Sequence, residues 1–212
     1  MDKKSQTPTR KRILKHAEIL FSEKGFRTVT IREITQSAGS NLAAVNYHFK
    51  NKKKLYLEVF RTRWIPRTQR VHDFFRRTLA AQEKPTPETV IRSLARAYLQ
   101  GPLSDKERRH HFMLMSREMA TPTEAFELVT NQLLRPFSKE IELILGSVLP
   151  DDYTQERLRL STICIFAMIL HFDRARVLVT QVTGKEYDTA FKVRVIEHIV
   201  TFSLQGLGIT EI

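Results

Sequence analysis

The chain has 212 residues, a formal net charge of +12, a pI of about 10.0 and a single cysteine. Its length allows one large domain or two small ones, and 42% hydrophobic residues with thirteen Phe exclude a disordered polycation. One Cys excludes an intrachain disulfide, and the longest apolar run, Leu160 to Leu170, is too short to span a bilayer.

Helical signals dominate the chain order, and no alternating strand pattern is evident. Ile13, Ala17, Leu20 and Phe21 form the apolar stripe of a first helix, preceded by Thr7-Pro8-Thr9 and stopped at Lys24-Gly25. Thr30 opens a short second helix, with Glu33 three residues on completing a capping box. Asn41 caps a third, running to about His48, with Leu42, Val45 and Phe49 as its apolar anchors. Asn51 caps a fourth, which Pro66 is expected to break or kink. Lys84 to Pro87 reads as a linker before a fifth helix, Glu88 to Gln100. Ser104 and Glu107 box the sixth. Thr121-Pro122 opens the seventh, with a second kink expected at Pro136. The last two helices, about Thr154 to Thr180 and Tyr187 to Gln205, are the most apolar. The fold class is therefore all-α, about nine helices: a three-helix basic head over 8–68 and a larger helical body over 69–212.

Residues 1–80 carry 19 Lys+Arg against 6 Asp+Glu, an excess of +13, while residues 81–212 carry 16 against 17. Such asymmetry points to an anionic partner for the basic head. The two short helices joined by Ala38-Gly39-Ser40 form a helix-turn-helix, whose second helix can enter a DNA major groove. Asn41 and Asn46 can donate and accept at base edges, and Ala43 and Ala44 are small enough to meet a thymine methyl. Thr30, Arg32, Tyr47, His48 and Lys52 offer groups for phosphates, aided by backbone N–H groups at the starts of the helices. Arg10, Arg12 and Lys50 are further candidates for the same role.

Thr28 to Gly39 (TVTIREITQSAG) and Ala44 to Lys52 (AVNYHFKNK) resemble the TetR family of bacterial transcriptional regulators. The resemblance covers about Pro8 to Arg67. It implies a DNA-binding head, a ligand-binding body and a homodimer joined through the last two helices, about 154–206. Two departures stand out. Ser40-Asn41 replaces the family's usual Val-Ser pair, and the commonest phosphate-binding Tyr aligns with Asn46, with Tyr47 one position later. Asn46 thus either reads a base or holds a phosphate. Arg117 to Phe126 (REMATPTEAF) and Leu134 to Phe137 (LRPF) resemble the C-terminal domain of the family's CecR-like branch.

In the body, Phe112, Met115, Met119, Met168 and Phe172 suit either a core or an adaptable effector pocket. His171, Asp173 and Arg174 suit either a ligand or a pairing across the dimer. His110-His111 lie about 100° apart on a helix and do not make a chelating pair, so no metal is implied, and no cofactor either. Cys164, in an apolar run, reads as an inert core residue. The chain has no glycine-rich phosphate loop, HExxH or nucleophile elbow, so it does not read as an enzyme. The expected function is a cytoplasmic, dimeric regulator, a repressor released from a near-palindromic operator in double-stranded DNA by a small-molecule effector. Activation of transcription and nonspecific architectural DNA binding are the alternatives. No membrane role is expected.

Overall fold

The computed structural model describes residues 8–209, whose regular structure is entirely helical, with no strand among them. Twelve segments are present: α1 (Pro8–Lys24), α2 (Ile31–Ser37), α3 (Leu42–Phe49), α4 (Lys52–Val59), α5 (Ile65–Ala80), α6 (Pro87–Leu99), α7 (Asp105–Ala120), α8 (Glu124–Val129), α9 (Arg135–Gly146), α10 (Gln155–Arg174), α11 (Arg176–Thr183) and α12 (Thr189–Gly206). α4 runs into α5 through a π-helical turn, Phe60–Trp64, and α8 into α9 through another, Thr130–Leu134, so the segments form ten continuous helices. No described helix is long and apolar enough to cross a membrane.

The two π turns account for the prolines that the sequence marks as kinks. A proline ring strikes the carbonyl four residues back. For Pro66 and Pro136 those carbonyls belong to Thr62 and Gln132, each inside a π turn. The extra residue widens the turn, and the helix continues where a break was the simpler expectation.

The chain folds as two compact units, residues up to Thr68 with Leu103–Leu133, and Gln69–Pro102 with the rest from Leu134. In the first unit α1 packs on α2, α3, α4 and α7. Its stripe of Ile13, Leu14, Ala17 and Phe21 is buried, and the helix ends at Gly25 (φ +85°), whose N–H donates to the Phe21 carbonyl at 3.0 Å. Thr7, expected just ahead of this helix, lies outside the described residues.

In the second unit α6 is central: seven of its thirteen residues are buried, and it packs on α9, α10 and α12. The helix expected over Thr154 to Thr180 is interrupted at Ala175. The last α-helical bond and two side chains satisfy the carbonyls at this end. Tyr187 Oη donates to the Phe172 carbonyl at 2.6 Å, Arg176 Nε to the Asp173 carbonyl at 3.1 Å, and the Ala175 N–H to His171 at 2.8 Å. Cys164, expected in the core, is exposed on α10, because the apolar run is longer than the face this helix buries within the chain.

A histidine that no local pattern marks, His72, sits in this core. His72 is stacked on Phe137 with ring centroids 3.5 Å apart, and Tyr98 Oη lies 3.4 Å from its Nε2. Burial, reinforced by the nearby Arg76 charge, pushes its pKa down to about 3. The unfolded chain takes up this proton near pH 6.5 whereas the folded chain refuses it, so stability is lost as pH falls from 6.5 toward 3. We expect the loss between pH 6.5 and 5 to be about 1.4 kcal/mol per pH unit at most, with His72→Gln flattening the profile. Thermal melts across that range check it; an unchanged slope in the variant would mean that other groups set the dependence.

Candidate nucleic-acid interface

The helix-turn-helix is assembled by local chemistry. Thr30 Oγ1 accepts from the Glu33 N–H at 3.1 Å, and the Glu33 carboxylate accepts from the Thr30 N–H at 2.7 Å. That N–H, helped by Lys24 and the Thr30 hydroxyl, holds the Glu33 pKa down to about 2, so the box persists in mild acid. Gly39 adopts φ +55°, and the Ser40 N–H closes back on the Thr35 carbonyl at 2.9 Å. Arg12 Nη2 donates to the Gly39 carbonyl at 3.0 Å, fixing the turn to α1. Asn41 Oδ1 caps α3 by accepting from the Ala44 N–H at 2.9 Å.

α3 inserts Val45 and Phe49 into the core and turns its other side outward. Asn41, Ala43 and Asn46 are exposed, Ala44 is half-buried and Tyr47 is 69% exposed. His48 is half-buried between the Tyr47 and Phe49 rings. Thr30 and Arg32 are exposed beside this row on α2 and its cap. Leu42, expected as a hydrophobic anchor, is 57% exposed. The cap explains this: with Asn41 ending the turn, Leu42 is the first helical residue, and the core face of α3 begins only at Val45.

Several cations are turned inward. Lys52 Nζ donates to the Val29 carbonyl at 2.9 Å and to the Arg27 carbonyl at 3.3 Å, and lies 4.7 Å from the Phe26 ring centroid. Its ammonium therefore ties the start of α4 to the loop before α2. Arg10 pairs with Glu58 and lies over the Phe49 ring. Lys50, at φ +67°, is exposed at the end of α3.

Two residues of the Arg117 to Phe126 stretch carry a role that spacing alone did not indicate. Arg117 Nε donates to the Ser22 carbonyl at 2.9 Å and its Nη2 to that of Glu23, closing the C-terminus of α1. A Cβ on Gly25 would come within 3.0 Å of this guanidinium. Glu118 is 1% exposed and accepts from Tyr56 Oη at 2.6 Å, the Thr123 N–H at 2.9 Å and the Phe126 N–H at 3.1 Å. It caps α8 and holds α4 at once; burial, with the hydrogen bond to Glu118 and its charge behind it, raises the Tyr56 pKa. Trp64 stacks on His111 and donates to its carbonyl at 2.9 Å. The α7–α8 pair is thus built into the same unit as the helix-turn-helix.

The side chains read as effector-lining fall in both units. Phe112, Met115 and Met119 lie on α7, half-buried, buried and exposed respectively. Met168, His171 and Phe172 lie on α10 of the second unit. There Met168 lines an open groove of about 510 Å³ between α10 and α12, with Leu160, Cys164 and Phe202.

Two family models match this chain. The bacterial regulatory proteins of the tetR family match over residues 13–59, and the C-terminal domain of the HTH-type transcriptional dual regulator CecR over residues 87–207. The CecR regulator of Shigella flexneri is 28% identical over 209 residues, covering 94% of this chain and 92% of its own. Among solved structures, a TetR-family regulator from Bordetella parapertussis superposes with a TM-score of 0.69 at 16% identity, covering 98% of this chain and 100% of its own. NalD of Pseudomonas aeruginosa does so with a TM-score of 0.64 at 24% identity, covering 93% and 96%. The chain belongs to the TetR family of bacterial transcriptional regulators, a DNA-binding and non-enzymatic class.

The Glu118 network predicts a graded pair of variants. Glu118→Ala strips partners from two hydroxyls and two N–H groups and is expected to cost roughly 3 kcal/mol, a fall of about 6–12 °C in Tm. Tyr56→Phe removes one hydroxyl and should cost about 1 kcal/mol. Thermal denaturation ranks them, and equal losses would refute the shared-carboxylate account.

Proposed function

We propose that the protein is a cytoplasmic homodimeric repressor that binds a near-palindromic operator and is released by a small-molecule effector. The observation that carries this reading is the outward row of α3, where Asn41, Ala43, Asn46 and Tyr47 stand exposed on a helix whose opposite face is locked into the core. Asn46 and Asn41 are suited to base edges, with Ala43 and Ala44 beside them. Tyr47, His48, Arg32 and Thr30 are suited to phosphates on either side. In this reading Lys52 acts at one remove, by holding the turn that presents Thr30.

Dimerisation is supported by α10 and α12. Leu160, Ile163 and Phe202 are each more than half exposed there, a grouping that water disfavours and a second copy would cover. An effector held by the body would favour a spacing of the two heads that no longer fits the operator. Met168, His171 and Phe172, all on α10 of the second unit, are the proposed contacts. An effector that weakens DNA binding tenfold must itself bind the DNA-bound form tenfold less tightly. NalD is described as a secondary repressor of an efflux pump, which favours repression. The Shigella flexneri relative is described as a dual regulator, which favours a second reading in which the protein also activates some promoters.

Binding of the purified protein to DNA upstream of its own gene, against scrambled competitor, tests the reading; equal affinity for both would overturn it. Tyr47→Phe is expected to weaken all sequences alike, whereas Asn46→Ala should alter base preference at one position of each half-site. Leu160→Glu is expected to give a monomer in sedimentation and to lose operator binding.

A further inference from the structure

We propose that a cleft inside the first unit, between α1, α5 and the start of α7, binds a small dianion: a phosphate group or a short dicarboxylate. The cleft has a volume of about 130 Å³, near the size of such an ion. Its floor is a charge cluster. Glu18 of α1 is buried and pairs with two guanidiniums, Arg67 on one side and Arg63 at 3.2 Å on the other. One carboxylate cancels one guanidinium and leaves the second in excess. Glu107, 3.5 Å from Arg67 Nε, approaches that excess from α7, but its carboxylate is also committed to the cap, accepting from the Ser104 N–H at 3.0 Å.

The rim adds charge of the same sign. Lys15 of α1 and Lys106 of α7 both line the cleft and are exposed. With His110, whose pKa burial lowers, counted as neutral, the lining holds four cations against two carboxylates. Two net positive charges around so small a space favour an anion of charge −2. Arg67 gives both Nη atoms to Glu18 and its Nε to Glu107, whereas Arg63 reaches Glu18 through Nη1 alone, so the Arg63 guanidinium is the one that can hold phosphate or carboxylate oxygens. Because Glu18 lies on the first helix of the DNA head, occupancy of this cleft reports directly to that helix.

The probe is inorganic phosphate, with glycerol phosphate and succinate as separate arms and chloride at matched ionic strength as the reference. Melting of the full chain without DNA keeps the outcome independent of the regulator reading. A saturable rise in Tm is expected with phosphate, and the three arms rank free phosphate, a phosphate monoester and a dicarboxylate. Lys15→Gln with Lys106→Gln changes only exposed rim positions and leaves the Glu18 cluster intact. The double variant is expected to weaken the apparent Kd at least about fivefold. Equal shifts with chloride, or equal affinity in the double variant, would overturn the proposal.

Discussion

Carboxylates leave water only where donors replace their hydration, and Glu118 meets four: Tyr56 Oη, the Thr123 hydroxyl and the N–H groups of Thr123 and Phe126. The requirement acts on several elements together. It orients the N-terminus of α8, seats α4 through Tyr56, and places the neighbouring Arg117 against the end of α1. Tyr56 in turn packs its ring edge-on against Phe21 and Phe60, in the centre of the head. The DNA-binding unit therefore extends beyond the helix-turn-helix, and α7 and α8 are part of its framework.

The basic excess of the first 80 residues takes on a different meaning once its partners are known. Arg10 is paired with Glu58, Arg12 holds a turn carbonyl, Lys52 holds two more, and Arg63 and Arg67 both pair with Glu18. These cations serve the shape of the head. Arg32, Lys50 and Lys54, by contrast, are exposed to solvent.

What the sequence made legible follows from locality. Capping boxes at Thr30 and Ser104, the cap at Asn41 and the glycine stop of α1 are set by residues within four positions of one another, and they stand as expected. The exposed row of α3 followed from helical period, since Tyr47, His48 and Phe49 cannot share one face. Long-range chemistry was not legible. Lys52 reaches back 23 residues to Val29, and Glu118 is 62 residues from Tyr56, so no spacing rule connects them. At the break at Ala175, the Phe172 carbonyl is likewise met by Tyr187, 15 residues further along the chain. Leu42 is the reverse case: its apolar character and its place beside an apolar stripe suggest the core, but as the first residue of the helix it lies outside.

The two π turns bear on how the gene for such a protein can change length. Each adds one residue to a turn, which advances every later side chain by about 100° relative to an uninterrupted α-helix. Loss of a single codon between Phe60 and Trp64 would leave both reading frame and helix intact, yet would rotate Val71, Phe75 and Leu79 off the face they now bury. The same holds between Thr130 and Leu134 for Phe137, Ile141 and Leu145. Insertions and deletions should therefore accumulate between Ala81 and Thr86, where no helical phase is carried across.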